Sequence, residues 1–205
     1  MPVELKESEI PELTPDSPRR KKWTREEVLF FDTTEMFAGT HYELIEGELI
    51  DKTMAKNRPH SNSTHRVFKA LAAIFGLDRV QAEPSIDVGP EDNPTSIPEP
   101  DIVVLNRHFE EIADRYPRPD EIALVVEVAA STLAFDLRAK AALYARAGLT
   151  DYWVFDIGDR RLIVFREPKD GQYRSRIEYS EHETVAPLAA PETSFSVASA
   201  FAASR

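Results

Sequence analysis

The sequence predicts an α/β or α+β domain, in which a mixed β-sheet is flanked by helices. Apolar residues fall at helical spacing over residues 61–75. Short apolar runs over 102–105 and 122–128 have the length of buried strands. A helical segment over 132–147 separates the second run from further strands, which indicates one central strand–helix–strand crossover.

The first 22 residues are predicted to be a flexible tail before a domain over 23–205. They contain four prolines and little hydrophobic periodicity. The basic run from Arg19 to Lys22 is either a solvated charge run or a weak phosphate-contacting arm.

The predicted elements then follow in order. Thr24 and Glu27 form a capping box that begins the first helix, and Gly39 is expected to end that region. Residues 41–50 predict a hairpin about Glu46-Gly47, and a loop over 54–60 precedes the helix over 61–75, closed by Gly76.

The second half predicts mainly strands. The expected strands cover 80–88 (interrupted by Pro84), 102–105, 122–128, 152–157, 162–165 and 173–179, with a short one around Phe195. A loop is expected over 89–98, short helices over 109–113 and at the C-terminal end, and the helix over 132–147 is stopped by Gly148.

Composition excludes several classes of protein. The 205 residues include no cysteine, which excludes disulfide scaffolds, thiolate catalysis and cysteine-based metal sites. The net charge of −11 argues against nonspecific nucleic-acid binding over the whole surface, although a local basic cleft stays open. No apolar run has membrane-spanning length and no secretory signal is present, so we expect a cytoplasmic location.

A pair of carboxylates on apolar strands is the main chemical signal. Asp101 precedes the run 102–105, and Glu127 interrupts the run 122–128. An ionised glutamate in a strand covered on both faces has to be paired or bind a cation. Two hard oxygen ligands on neighbouring strands suit Mg²⁺.

Lys140, in the helix that follows, is a third candidate. From its spacing alone, an exposed i,i+4 pair of Asp136 with Lys140 is favoured. Alternatively, Lys140 lies at the edge of the apolar stripe and reaches back toward the strand ends.

These residues carry a resemblance to a known family. The chain resembles the PD-(D/E)XK nuclease superfamily and, within it, the Uma-two family of restriction-endonuclease-like proteins, over roughly residues 23–200. The segments that match are Tyr42–Leu49, Glu99–Leu105 and Leu124–Ala129 running through Asp136, Lys140 and Tyr144–Gly148 to Asp151–Val154.

The resemblance implies a restriction-endonuclease-like core and a mechanism. Asp101 and Glu127 would coordinate Mg²⁺, or Mn²⁺ as a substitute, helped by the backbone carbonyl of Val128. The superfamily usually has its lysine at the position of Ala129, and here the matching cation is Lys140, which would orient or activate water. Ala130 departs from relatives that often carry a polar residue there, which would weaken activity if that residue acts on the metal or the water.

Further residues are auxiliary candidates, each with a simpler interpretation. Glu46 and Glu48 could supply another acid, or be solvated turn residues. His60 could touch phosphate or substrate, although a helix-capping or solvent-facing histidine is favoured. Gln81 and Glu83 share one strand face by period two, and either could face the site.

The sequence therefore predicts a Mg²⁺-dependent endonuclease that acts on DNA as a homodimer. The alternative is a nuclease-like module with little catalysis that binds nucleic acid or protein. A metal-dependent hydrolase of small phosphoesters is a third, weaker option.

Overall fold

The computed structural model describes residues 20–34, 40–52 and 58–202. The helices and strands, in chain order, are α1 (Arg25–Asp32), β1 (Tyr42–Ile45), β2 (Glu48–Asp51), α2 (Arg58–Phe75), β3 (Val80–Ala82), β4 (Ile102–Leu105), β5 (Ile122–Ala129), α3 (Leu133–Phe135), a π turn (Asp136–Lys140), α4 (Ala141–Arg146), β6 (Asp151–Asp156), β7 (Arg161–Lys169), β8 (Gln172–Ser180), β9 (Thr184–Val185) and β10 (Phe195–Ser196). Short 3₁₀ turns lie at Leu77–Arg79, Asn93–Thr95, Phe109–Ile112, Pro119–Glu121 and Val197–Ala200. Within these ranges, none of the helices has the length and apolar character that crossing a bilayer requires.

The central sheet has six strands in the order β3-β4-β5-β6-β7-β8. Strands β5 and β6 run parallel, while the other neighbouring pairs are antiparallel. Parallel neighbours need a crossover connection, which the segment from α3 to α4 supplies. The predicted mixed sheet with a central crossover is confirmed, and Asp101, just before β4, comes to lie next to the strand that carries Glu127.

Strand β5 is buried along its whole length because both faces of the sheet are covered. On one face, Val126 and Val128 belong to a core with Val67 and Leu71 of α2. On the other face, the core is formed by β5 and α4 residues together with part of the hairpin; it includes Val125, Ala129, Leu143, Tyr144 and Ile45. Glu127 alternates with the valines and shares the second face with Val125 and Ala129.

The predicted hairpin about Glu46-Gly47 is confirmed. Strands β1 and β2 pair antiparallel, and Glu46 and Gly47 have φ values of 50° and 82°, as in a type I′ turn. Leu44 exchanges backbone hydrogen bonds with Ile97, at 3.3 and 2.8 Å. This pairing holds the hairpin against the loop that leads into Asp101.

Two predicted boundaries are wrong for reasons of proline chemistry. The strand expected over 80–88 ends at Ala82, because Pro84 has no N–H for a ladder and Glu83 turns the chain with a φ of 52°. Helix α2 begins at Arg58, inside the predicted loop, because Pro59 is tolerated in a first helical turn. Gly39 and residues 53–57 lie outside the described residues.

The helix expected over 132–147 is interrupted by the π turn. Such a turn adds one residue to the helical register and is frequent at functional sites. Asp136 and Lys140, at its two ends, are both 2% exposed. The exposed Asp136–Lys140 pair favoured by spacing is therefore wrong, and both polar side chains lie inside the protein.

Candidate active site

Asp101 joins three elements of the fold at the start of β4. Its Oδ2 accepts a hydrogen bond from the Val128 N–H at 2.7 Å and lies 3.3 Å from Nε2 of His60 on α2. The side chain is buried. Asp101 therefore ties the beginning of β4 to the end of β5 and to the first turn of α2.

Glu127 receives two donors from the crossover helix. Its Oε1 accepts hydrogen bonds from Lys140 Nζ at 2.8 Å and from the Tyr144 hydroxyl at 3.1 Å. Lys140 therefore lies on the same side of the sheet as Glu127. Tyr144 packs in the core, as predicted, and in addition contacts a candidate catalytic carboxylate.

Glu43 extends this buried network to the hairpin, a role that the sequence interpretation missed. Its Oε1 lies 3.0 Å from Lys140 Nζ, and its Oε2 accepts a hydrogen bond from the Glu99 N–H at 3.1 Å. Lys140 is thus held between two carboxylates. A glutamate inside the apolar run Tyr42–Ile45 is the same signal that singled out Glu127.

Burial and neighbouring charges shift the titration of the network. Burial raises the pKa of Glu127 to about 8; Lys140 opposes this, while Asp136 and Asp101 add to it. Burial also raises the pKa of Asp136 to about 6, against the pull of Lys140. Burial alone would lower the pKa of Lys140. The negative charges of Glu127, Glu43 and Asp136 outweigh this effect and hold the pKa well above its ordinary value. The ammonium group of Lys140 is therefore the fixed charge of the network.

Asp101 behaves in the opposite way. Burial alone would raise its pKa, but the hydrogen bond and charge of His60, the charge of Lys52 and the Val128 N–H together lower it. Asp101 is thus an ionised carboxylate beside a carboxyl group, Glu127, whose charge is disfavoured.

Of the auxiliary candidates, His60 contacts Asp101, while no described contact brings Glu46 or Glu48 to it. Glu46 and Glu48 are exposed and lie in ion pairs, 2.5 Å from Arg146 and 3.2 Å from Lys22, so the described contacts do not bring them to Asp101. Gln81 is half-buried on β3 and pairs with Val103. His60 is 5% exposed and faces Asp101, so the expectation of a solvent-facing histidine is wrong.

Glu83 belongs to a separate cluster, with His41 and Glu99. One ligand atom from each of these residues lies within 4.8 Å of the others. His41 Nε2 is 2.5 Å from Glu99 Oε1, and Lys52 donates a hydrogen bond to the Glu99 carbonyl. No local pattern singles out His41, because its partner Glu99 lies 58 residues further along the chain.

The chemistry at Asp101 and Glu127 fits a hard divalent cation. Among the described residues, the hydrogen bonds to these side chains all go to Asp101 Oδ2 and Glu127 Oε1. Each carboxylate thus keeps a second oxygen outside these bonds. Mg²⁺ is usually bound by one or two protein carboxylates, with water or phosphate oxygens as its other ligands.

Comparison with known proteins identifies the family. The Uma2 family, described as "Putative restriction endonuclease", matches residues 29–198. The chain belongs to the Uma2 family. None of the curated proteins matches it.

A crystal structure from Anabaena variabilis ATCC 29413, of a "putative nuclease belonging to DUF820", has the same fold as this Uma2 protein. The two chains are 21% identical, and the match covers 87% of this chain and 97% of the other with a TM-score of 0.61. The fold is therefore restriction-endonuclease-like, as the resemblance implied. Membership in Uma2 supports a nuclease-like function.

Proposed function

We propose that this protein is a Mg²⁺-dependent endonuclease that hydrolyses phosphodiester bonds in DNA. One observation carries the proposal: Lys140 Nζ lies 2.8 Å from Glu127 Oε1, while Asp101 hydrogen-bonds to the next residue of the same strand, Val128. Two carboxylates and a fixed cation thus meet at the end of β5, in a chain of the Uma2 family.

Each residue has a role that follows from its chemistry. Asp101 and Glu127 would hold Mg²⁺, or Mn²⁺ in its place, together with the carbonyl oxygen of Val128. Bound Mg²⁺ would polarise the phosphodiester and acidify an attacking water. Lys140 would orient that water and offset the negative charge that develops on the phosphorus oxygens.

The positively charged side chain of the site comes from the crossover helix, because the strand β5 has none at the usual position. Ala129, two residues after Glu127, is fully buried in the core on the face of the sheet that α4 covers, and it carries no charge. Lys140 reaches the same carboxylate from the π turn. Hydrolysis of both strands of a duplex needs two such centres, so we expect a homodimer, which light scattering of the purified protein measures.

Burial of the site favours a second candidate, a noncatalytic module that binds nucleic acid or protein. Asp101, Glu127 and Lys140 are each no more than 3% exposed, and the chain has a net charge of −11. In such a module the three residues would serve only as a buried polar network.

Cleavage of supercoiled plasmid separates the two candidates. We expect nicking with Mg²⁺ or Mn²⁺, and DNA binding without turnover in Ca²⁺. Asp101→Asn and Glu127→Gln should remove activity and the response to metal together. Lys140→Met should retain metal binding and lose most of the rate, since a positioned charge acts mainly in the transition state.

The matched control is Lys69→Met, which removes an exposed lysine of α2. All proteins are purified in the same way, and circular dichroism checks that each variant is folded. Equal cleavage by all variants would indicate a contaminating nuclease. No cleavage of DNA or RNA with any of these metals would favour the noncatalytic module.

A further inference from the structure

We propose that His41, Glu83 and Glu99 form a second metal site, which binds a first-row divalent ion such as Zn²⁺ or Co²⁺ in preference to Mg²⁺. The three side chains bring one ligand atom each within 4.8 Å of the others. None of them is a ligand of the site proposed at Asp101 and Glu127. This inference does not depend on nuclease activity.

Three separate segments meet at this cluster, and backbone hydrogen bonds hold each in place. His41 precedes β1, and its carbonyl accepts a hydrogen bond from the Lys52 N–H at 2.8 Å. The Glu83 N–H donates to the Asp101 carbonyl at 3.0 Å, and the Glu99 N–H donates to Glu43 at 3.1 Å. Ligands on fixed backbone need little ordering when a metal binds.

The ligand types decide which metal is expected. Imidazole nitrogen favours Zn²⁺, Co²⁺ and similar ions, whereas sites made only of oxygen suit Mg²⁺ and Ca²⁺. The carboxylates of Glu83 and Glu99 would neutralise the charge of a divalent ion. Neither of the side chains proposed as ligands at the other site, Asp101 and Glu127, supplies nitrogen, although His60 Nε2 lies 3.3 Å from Asp101 Oδ2.

The contact between His41 and Glu99 is compatible with a bridging ion. Their closest atoms are 2.5 Å apart, as a hydrogen bond. Two ligands with metal–ligand distances near 2.1 Å are about 3 to 3.5 Å apart. Small rotations of the two side chains would therefore open enough space between these atoms for a metal ion.

Lys52 works against the site and limits its affinity. Its Nζ lies 3.7 Å from Glu99 Oε1 and donates to the Glu99 carbonyl. A buried cation next to one of the ligands repels a metal ion bound there. We therefore expect weaker metal binding than the three ligands would give without Lys52.

An open cavity borders the cluster at Glu83. Glu83 lines a cavity of about 390 Å³ together with His60, Phe68 and other residues of α2. The His41 side chain is 44% exposed. A metal ion held here would keep positions open to solvent or to an anionic ligand that enters the cavity.

Titration with Co²⁺, followed by its visible absorption, tests the proposal on the full chain. We expect wild type to show a band from Co²⁺ bound through nitrogen. His41→Asn and Glu83→Gln replace exposed or half-exposed side chains, so both variants should fold. Each should weaken Co²⁺ binding by at least about tenfold, the lower bound of what loss of a supporting metal contact produces.

His65→Asn is the matched control, because His65 is an exposed histidine that lines the same cavity without belonging to the cluster. It should bind Co²⁺ as wild type does, and so should Glu127→Gln. Unchanged binding in both His41→Asn and Glu83→Gln would overturn the proposal. Loss of binding in Glu127→Gln alone would assign the ion to the other site. Co²⁺ binding that needs His41 and Glu83, together with no cleavage of DNA or RNA in Mg²⁺ or Mn²⁺, would refute the proposed nuclease and leave this site standing.

Discussion

Lys140 Nζ and Glu127 Oε1 lie 2.8 Å apart, although Glu127 is on a central strand and Lys140 is 13 residues later in the crossover helix. The crossover that makes β5 and β6 parallel therefore also delivers the cation to the strand. A change in this helix should consequently affect both stability and chemistry.

Replacement of Lys140 should strongly destabilise the protein. Lys140→Met leaves Glu127 and Glu43 facing each other without a cation in a buried site. Loss of one partner from a buried ion pair costs about 3 to 5 kcal/mol. Urea unfolding at neutral pH measures the loss in free energy of unfolding.

A double variant provides the control. Lys140→Met combined with Glu127→Gln removes one of the stranded carboxylates, so its loss of stability should be smaller than the sum of the two single losses by about 0.5 to 3 kcal/mol. Additive losses would show that the two side chains are not energetically coupled.

Added Mg²⁺ should stabilise wild type through Asp101 and Glu127. An ion that binds only the native state adds about 2.7 kcal/mol when its free concentration is about 100 times Kd. The melting temperature of wild type should therefore rise with Mg²⁺, and that of Glu127→Gln should not. The same Mg²⁺ response in both proteins would place the ion elsewhere; His41→Asn, which alters the second cluster, should respond as wild type does.

Tyr144→Phe should show how much the hydroxyl group of Tyr144 contributes to stability, apart from the packing of its ring. The ring is fully buried and lies 5.0 Å from the ring of Tyr152, so phenylalanine keeps the core contacts. The variant loses only the 3.1 Å hydrogen bond to Glu127, worth about 1 kcal/mol. Thermal unfolding measures this loss, and a much larger change would mean that the ring itself has moved.

An ion pair far from the site should make stability depend on acid pH. Arg115 donates two hydrogen bonds to Glu121, at 2.7 and 2.6 Å, and this contact lowers the pKa of Glu121 from 4.5 to about 2. A folded-state pKa below the unfolded one stabilises the native state fully above about pH 4.5, and the contribution is lost as the pH falls through about 2.

Glu121→Gln should therefore be less stable than wild type near neutral pH, and the difference should shrink between pH 4.5 and pH 2. Urea unfolding at a series of pH values measures it. Glu110→Gln, which alters an exposed acid in the preceding turn, is the matched control. A difference between wild type and Glu121→Gln that is constant with pH would exclude the ion pair as its cause.

Local sequence patterns predicted those parts of the fold that depend on neighbouring residues. The capping box of Thr24 and Glu27 is present at the start of α1. The run Ile122–Ala129 is a fully buried strand, and its acid, Glu127, is paired with Lys140, in agreement with the prediction that it has to be paired or bind a cation. In each case, the cause lies within a few residues of the effect.

The rest depends on contacts between distant segments. His60 is buried because it meets Asp101, 41 residues away, and nothing near His60 in the chain indicates that contact. The π turn was missed because its inserted residue is defined by backbone hydrogen bonds, which the pattern of apolar residues over 132–147 does not reveal. Glu43 carried a usable signal, an acid in an apolar strand, but its link to Lys140 required the folded hairpin.

The hydrogen bond from the Val128 amide to Asp101 has a consequence for spectroscopy. This amide donates to a carboxylate rather than to a neighbouring backbone carbonyl, although it lies in the central strand of the sheet. Its protection from exchange with deuterium therefore reports on the side chain of Asp101, while the surrounding β5 amides report on the unfolding of the sheet. A single backbone resonance can thus follow, in solution, whether a ligand has drawn Asp101 away from its strand.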